Sequence, residues 1–443
     1  MNVESAPVRA RVLSDEPAAG NYFVAAYPPF SCWKRNQAVA AELALKQPAP
    51  ETPFGVYVHV PFCPKKCDYC YYLSYIRQPL QVIDHYLETV RRELEIYAGQ
   101  PALQGRALSF LYFGGGTPSN LSTAQARQLL GGLHHLLPRD GAREITYECA
   151  PRSVRPNFLD ALAEQGVNRL SMGVQSFDDD LLRLNGRVHL AEDVAHAYEH
   201  MTRAGFAWIN LDLMVGLIGE TDTQWRETVR RMLDLSPDSV TIYQTEMPHN
   251  TKLYRDYTAG ALPAKPVSWD VKRARLDYGF RELERAGYTV VNAYAAVKDP
   301  ERHRCIYQEH LWRGGDMLGL GVSSFSYFQG VHYQNLCTLE AYESAVDEGR
   351  LPVERARDLS DWDQLVREFI LQLKFGRVAA AWFQQRFELD ITKVFKLRLR
   401  ALEAEGFLTV TPQEVRLTRE GLLCVDRLLP LFYDEEYQGA GYW

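Results

Sequence analysis

Positive charge, cysteine and long apolar runs are all scarce in this 443-residue sequence. Lysine and arginine number 49 against 56 aspartates and glutamates, a net charge of −7. That balance disfavours avid, sequence-independent binding to nucleic acid, which depends on neutralising phosphates. No window approaches about 18 uninterrupted apolar residues, and the opening MNVESAPVRARVLSDEP lacks the apolar core of a secretory signal. A soluble, cytoplasmic protein without a membrane span is expected. Eight cysteines are too few for a disulfide scaffold in a chain of this length. No repeat or low-complexity tract stands out. What is present is ordinary globular material, 46% apolar and 24% charged. The length exceeds one simple core, so two packed units, or a large barrel with an appendage, are expected.

From about residue 55 to 250, short β-branched or aromatic runs (VYVHV, LSFLYFG, EITYECA, RLSMGVQ, WINLDLMVGL, SVTIYQTEM) alternate with amphipathic stretches of helical period. Six strand–helix units in succession predict a parallel α/β sheet, either a barrel or an open doubly wound sheet. Ser122 and Gln125 are spaced as a capping box at a helix start. Residues 1–50 are Pro/Ala-rich around the aromatic stretch NYFVAAYPPFSCW and read as a leader packing on the body. After Pro263 a long helix leads to a strand, TVVNAYA, and to the Gly-rich GGDMLGLGVSSFSYF. From 358 to 443 the order is three helices, a hairpin and a final helix, REGLLCVDRLLPLFY, which suits a winged-helix-like domain. That domain ends in apolar and acidic text, so a cap over the barrel mouth is expected rather than a DNA reader.

Strand VYVHV runs into Pro61-Phe62-Cys63-Pro-Lys-Lys-Cys67-Asp-Tyr-Cys70. Three thiolates spaced C-x3-C-x2-C can ligate three corners of a [4Fe–4S] cubane, leaving one iron open to a small chelating ligand. A Cys₃His zinc site recruiting His59, or free thiols, are the alternatives. The junction lies where α/β folds place chemistry, at the C-terminal edge of a strand. Cys32, Cys149, Cys305, Cys337 and Cys424 are scattered and have no assigned role.

Three further strands carry polar residues near their ends. Glu148 lies in ITYECAP, Gln175 ends GVQ, and Asp212 sits inside INLDLMVG. Each needs a partner if buried. Converging at one edge, they suit an ammonium, ribose hydroxyls and an adenine. Asp212 can accept two ribose hydroxyls, as acidic residues do in dinucleotide sites. Arg187 can pair a carboxylate bidentately, or serve as a surface cation. Gly114-Gly115-Gly116-Thr117 permits close backbone approach of a ligand, or forms a tight βα turn. Lys65 and Lys66 could offset thiolate charge or meet an acidic electron donor; an ordinary solvated loop is the alternative. His332, Tyr333, Trp312 and Arg313 could line the substrate side, with packing as the alternative.

YVHVPFCPKKCDYC, FGGGTPS, RLSMGVQSF and NLDLMVGLIGET, in that order, resemble radical S-adenosylmethionine (SAM) enzymes of the oxygen-independent coproporphyrinogen III oxidase-like family. The likeness covers nearly the whole chain. It implies a partial (β/α)6 TIM-type barrel spanning 51–345 with its extension, with residues 1–50 as a leader packing on it and 358–443 as a mostly helical, winged-helix-like cap. It implies a [4Fe–4S] cluster on Cys63, Cys67 and Cys70, and two SAM molecules. Tyr57, Gly115, Glu148 and Phe325 match the first SAM site. Tyr69, Gly116, Thr117, Gln175, Arg187, Asp212 and Thr245 match the second. The implied partners are a tetrapyrrole or other large metabolite and an electron donor such as flavodoxin or ferredoxin. The implied reaction is oxidative decarboxylation of propionate side chains.

Some features depart from the decarboxylase pattern. Cys70 is followed by Tyr71-Tyr72-Leu73 where that enzyme has a glycine and another cysteine, Ile218 replaces the usual proline, and VVNAYAA replaces acidic-aromatic text. The leader, by contrast, resembles the decarboxylase's N-terminal segment. A methyltransferase or cyclopropanating enzyme using the second SAM, and a heme chaperone, are the alternative functions.

Overall fold

The computed structural model describes residues 19–49, 52–137 and 141–441. Residues 1–18 and 50 of the expected leader lie outside them.

Six strands run parallel in sequence order: β1 (Phe54–Val60), β2 (Leu108–Gly115), β3 (Glu144–Cys149), β4 (Arg169–Gln175), β5 (Trp208–Val215) and β6 (Ser239–Gln244). Helices over Leu80–Ala98, Thr123–His134, Pro156–Glu164, Ala191–Arg203 and Asp222–Leu235 cross between them. Val56, Val58 and Val60 are fully buried, as are Leu170, Met172 and Val174, forming the layer against those helices. The intervening positions face inward and are polar or aromatic: Tyr57, Tyr112, Thr146, Ser171, Asn210 and Thr241. This alternation, buried on both faces, gives the barrel a polar interior rather than a hydrophobic plug.

The sheet is open and larger than six strands. β7 (Thr289–Val290) and β8 (Ala295–Val297) add antiparallel pairing beyond β6. The single strand expected over TVVNAYA is thus split, because Asn292 turns its side chain back onto the amides of Tyr294 and Ala295. On the other edge β9 (Met317–Leu320) runs parallel to β1. It is followed by the antiparallel meander β10 (Phe325–Phe328), β11 (Val331–Asn335) and β12 (Val353–Asp358). The capping box forms as spaced: Ser122 Oγ accepts from Gln125 N, and Gln125 Oε1 from Ser122 N.

A second core gathers helices Asp361–Leu373, Ala380–Phe387 and Lys396–Ala404 over a three-stranded sheet of β13 (Arg377–Ala379), β15 (Glu414–Leu417) and β14 (Leu408–Val410). The final helix is not continuous. It breaks into Arg419–Leu423, Val425–Leu428 and a 3-10 turn over Leu429–Phe432, where Pro430 has no amide to continue an α-helix.

Residues 19–33 form a strap joining both cores. Gly20 pairs with Met247 at the end of the barrel, while Val24 and Tyr27 are buried in the second core. Phe30 stacks on Phe325 at 4.3 Å, and Trp33 stacks on His332 at 4.8 Å. His332 and Tyr333 are therefore packing residues, as is the buried Trp312.

Candidate functional site

The cysteine loop is tied at its base. Phe62–Cys63 pairs with Tyr75–Ile76, Tyr75 N donates to Pro61 O at 2.7 Å, and Cys70 N donates to Cys67 O at 3.2 Å. The last contact is a turn that brings the second and third thiols close in the chain. Cys63 Sγ lies 3.3 Å from Thr117 Oγ1, and Arg187 Nη1 lies 3.4 Å from Cys67 Sγ. Burial pushes the Cys63 and Cys70 thiols up, Cys70 to about 11, with the Cys67 charge adding to the Cys70 shift. Thiolates here need a cation, and among the described residues Arg187 touches Cys67 directly.

Among the described residues no three His, Cys, Asp or Glu side chains are close enough to share one metal ion. His59 is not gathered with the thiols. Its Nε2 faces Leu73 O at 3.4 Å, and its ring fills the space beside Gly115. The Cys₃His zinc arrangement is therefore not formed. A cubane differs because each thiolate takes its own iron, so its ligands stand farther apart than those of a single ion.

The glycine turn is shaped by crowding. A Cβ on Gly116 would sit 3.0 Å from Cys63 Sγ and 2.9 Å from Val60 O. Gly115 has φ +114°, and its Cβ would meet the His59 ring at 2.5 Å.

Glu148 is half-buried next to this turn. Tyr112 Oη donates to its Oε1 at 2.9 Å, and Gly115 N to its Oε2 at 3.2 Å. Burial, and secondarily the charge of Asp212, push its carboxyl up to about 7. Tyr57 stacks on Tyr112 at 5.7 Å, and its hydroxyl reaches the same Gly114–Glu148 corner. Asp212 accepts from Ser171 Oγ at 3.1 Å and Asn210 Nδ2 at 2.8 Å. Its carboxyl is raised by burial and restrained by Arg169. Gln175 adopts φ +67°, a left-handed conformation that costs a non-glycine residue on the order of 1 kcal/mol. Strain of this kind concentrates at binding sites.

Among the described residues Arg187 forms no ion pair with a carboxylate. Nη2 donates to Gly173 O at 2.6 Å, while its buried Nε has no hydrogen-bond partner; the Tyr69 hydroxyl is buried beside it and interacts with the Cys67 thiol. An unpaired buried donor is costly, so Arg187 Nε beside the thiols suits a polar ligand. The three thiols, the glycine turn and the unpaired Arg187 donor fit a cluster carrying a chelating, carboxylate-bearing ligand.

Two expected contact residues are already engaged within the chain. The Thr245 hydroxyl and amide both donate to Val215 O, and its carbonyl accepts from Lys272 Nζ. Its polar groups therefore hold strand ends together. The Phe325 ring is stacked by Phe30 and edged by Trp33, so the strap occupies its face. Sequence reasoning missed Tyr112, Ser171 and Asn210. Ser171 and Asn210 stand four and two residues before Gln175 and Asp212 on their own strands, so strand alternation was a partial signal, whereas Tyr112 meets Glu148 only through the pairing of β2 with β3.

Residues 57–232 match the radical SAM superfamily, and residues 359–424 match the HemN C-terminal domain. A heme chaperone HemW of Bacillus subtilis is 28% identical over 386 residues, covering 86% of this chain and 99% of that protein. An oxygen-independent coproporphyrinogen III oxidase of Escherichia coli is 29% identical over 399 residues, covering 86% of each. The solved structure of coproporphyrinogen III oxidase (HemN) from Escherichia coli, described as a radical SAM enzyme, superposes with a TM-score of 0.78 at 27% identity. It covers 92% of this chain and 96% of that one.

Proposed function

We propose, from the premise that the chain belongs to the radical SAM superfamily and its oxygen-independent coproporphyrinogen III oxidase-like family, that it oxidatively decarboxylates propionate side chains of a tetrapyrrole-like substrate. The family's cofactors are a [4Fe–4S] cluster and SAM. When bound, they supply a 5′-deoxyadenosyl radical able to take a hydrogen atom from a substrate carbon.

In this reading Cys63, Cys67 and Cys70 hold the cluster, and Tyr57, Gly115 and Glu148 hold the SAM next to it. Tyr69, Gly116, Thr117, Gln175, Arg187 and Asp212 form a second SAM site, with Arg187 receiving a carboxylate and Asp212 the ribose hydroxyls. Phe325 and Thr245 back these sites through the strap and the strand ends. The strap and cap exclude water from the barrel mouth. The observation that carries the reading is the buried Arg187, whose Nη1 lies 3.4 Å from Cys67 Sγ and whose Nε has no hydrogen-bond partner. The likeness to heme chaperones supports heme transfer as the second reading.

Anaerobic reconstitution with reductant, SAM and coproporphyrinogen, followed by mass spectrometry, tests this. Loss of carbon dioxide with formation of 5′-deoxyadenosine is expected. Methyl gain with S-adenosylhomocysteine would replace the reading with methyl transfer, and retained heme without 5′-deoxyadenosine with chaperoning.

Glu148 adds a pH signature. Its carboxyl must be ionised to meet cationic SAM, and it titrates at about 7 in the folded chain. Affinity for SAM should therefore be full above that pH and fall by up to about tenfold per unit below it. Glu148→Gln should bind about 10- to 100-fold more weakly and lose this slope, as read by anaerobic titration calorimetry from pH 6 to 8.5.

A further inference from the structure

Tyrosine is concentrated in the barrel interior and at its mouth, and several of its rings cover one another. Tyr57 stacks on Tyr112 at 5.7 Å and on Tyr307 at 6.2 Å, and Tyr307 lies 4.7 Å from Tyr112. Two rings are left more open: Tyr72 is 48% exposed and Tyr243 is 37% exposed. Tyr72 follows the third thiol by two residues, in the stretch where the sequence leaves the decarboxylase pattern. Its ring stacks on Tyr71 at 4.6 Å and 24°, with the two hydroxyls 3.5 Å apart. The backbone beneath this pair is fixed. Lys66 Nζ and Ser74 Oγ donate to Tyr72 O at 2.9 and 3.1 Å, and Asn250 Nδ2 donates to Tyr71 O at 3.2 Å.

Tyr243 comes from β6, at the other end of the run of six parallel strands from β1. Its ring stacks on Tyr294 at 6.4 Å and 26°, and the Tyr294 hydroxyl donates to Asp426. Burial first holds the hydroxyls of Tyr57 and Tyr243 protonated, and Tyr72 is among the groups that add to this in both. Tyr72 therefore stands within electrostatic reach of both walls, and its open face looks into the mouth.

We propose that Tyr72, backed by Tyr71, and Tyr243, backed by Tyr294, are specificity-determining surfaces that seat flat pyrrole rings of the substrate by stacking. This rests on the tetrapyrrole reading above and names the side chains that select such a substrate. Pyrrole is an electron-rich aromatic ring, and aromatic pairs contribute beyond the area they bury. The backing rings hold each face in place before the ligand arrives, so little side-chain freedom is lost on binding. Faces on opposite walls favour a broad, multi-ring ligand over a small metabolite that could meet only one of them.

The test uses reconstituted full-length protein with coproporphyrin III as a fluorescent probe, without SAM or reductant, so that no turnover occurs. Quenching titrations should show binding weakened about tenfold in Tyr72→Ala and several-fold in Tyr243→Ala, while Tyr72→Phe stays within about twofold of wild type. Tyr243 lies outside the cysteine loop, so its variant carries the test even where Tyr72→Ala loads its cluster poorly, which iron content reveals. In turnover with coproporphyrinogen, KM should rise in the same order, while SAM affinity by calorimetry stays within about twofold. Equal porphyrin affinity in wild type and both alanine variants overturns the proposal, as does a loss in Tyr72→Phe as large as that in Tyr72→Ala. A fall in SAM affinity with porphyrin affinity unchanged gives the platform to the adenine of SAM, and also overturns it. Wild type that binds neither coproporphyrin III nor coproporphyrinogen overturns the tetrapyrrole reading instead.

Discussion

Cys67→Ala should lose the iron–sulfur chromophore and, with it, SAM cleavage by at least about a thousandfold, while the chain stays folded. The argument is local. Cys67 sits mid-loop, half-buried, and its backbone carbonyl closes the turn to Cys70 whether or not the side chain carries sulfur. Arg187 loses its Nη1 contact with sulfur but keeps its bond to Gly173 O. No core methyl is removed, so stability should change by less than about 1 kcal/mol. Three thiolates are the minimum for a cubane with one open iron, and two cannot hold it. Cys149→Ala is the matched control. Cys149 is a buried thiol on the strand next to the site, and burial holds it protonated. That variant should lose packing energy and keep the cluster. Iron analysis, the visible spectrum, electron paramagnetic resonance and 5′-deoxyadenosine yield are the readouts. An intact cluster signal with full SAM cleavage in Cys67→Ala would sink the site.

The second large effect is structural. Lys374 is wholly buried between the strap and the second core. Its Nζ donates to Val24 O at 2.6 Å, pairs with Asp426 at 3.1 Å and lies 3.8 Å above the Phe23 ring. Burial lowers its pKa and Asp426 restores part of it. Removing one partner of a buried pair leaves the other charge uncompensated, typically costing about 3–5 kcal/mol. Lys374→Ala would leave Asp426 with its bonds from Val24 N and the Tyr294 hydroxyl but without its cation. A chain with two cores need not unfold in one step, so the loss should appear first as detachment of residues 19–33. Limited proteolysis and hydrogen exchange of that segment should rise well before the barrel melts. Unchanged protection of the strap would refute the role given to Lys374.

Much of this molecule was legible in its residues. The six parallel strands announced themselves because runs such as RLSMGVQ and WINLDLMVGL combine buried apolar residues with isolated polar ones. Short helices at Pro156–Glu164 and Asp179–Leu184 did not, since one or two turns give too little period to read. The final helix read as continuous because its apolar spacing persists across the breaks at Cys424 and Pro430. In the site, Glu148 and Asp212 were visible as charges inside apolar strands. Their donors Tyr112, Ser171 and Asn210 are set mainly by strand-to-strand register, which one sequence does not display. The strap's reach into the second core was hidden for the same reason. Val24 and Asp426 are 402 positions apart.

That separation orders events in time. Residues 19–33 are made before the barrel, whereas Asp426 and Asp434, which bind Val24 and Tyr27, follow their partners by 402 and 407 residues. During synthesis the barrel strands can pair with neighbours already made, while the strap has none of its final partners in the cap. The strap can therefore dock only after residues 426–434 have been made, so its contacts with the second core are late events in the folding of this chain.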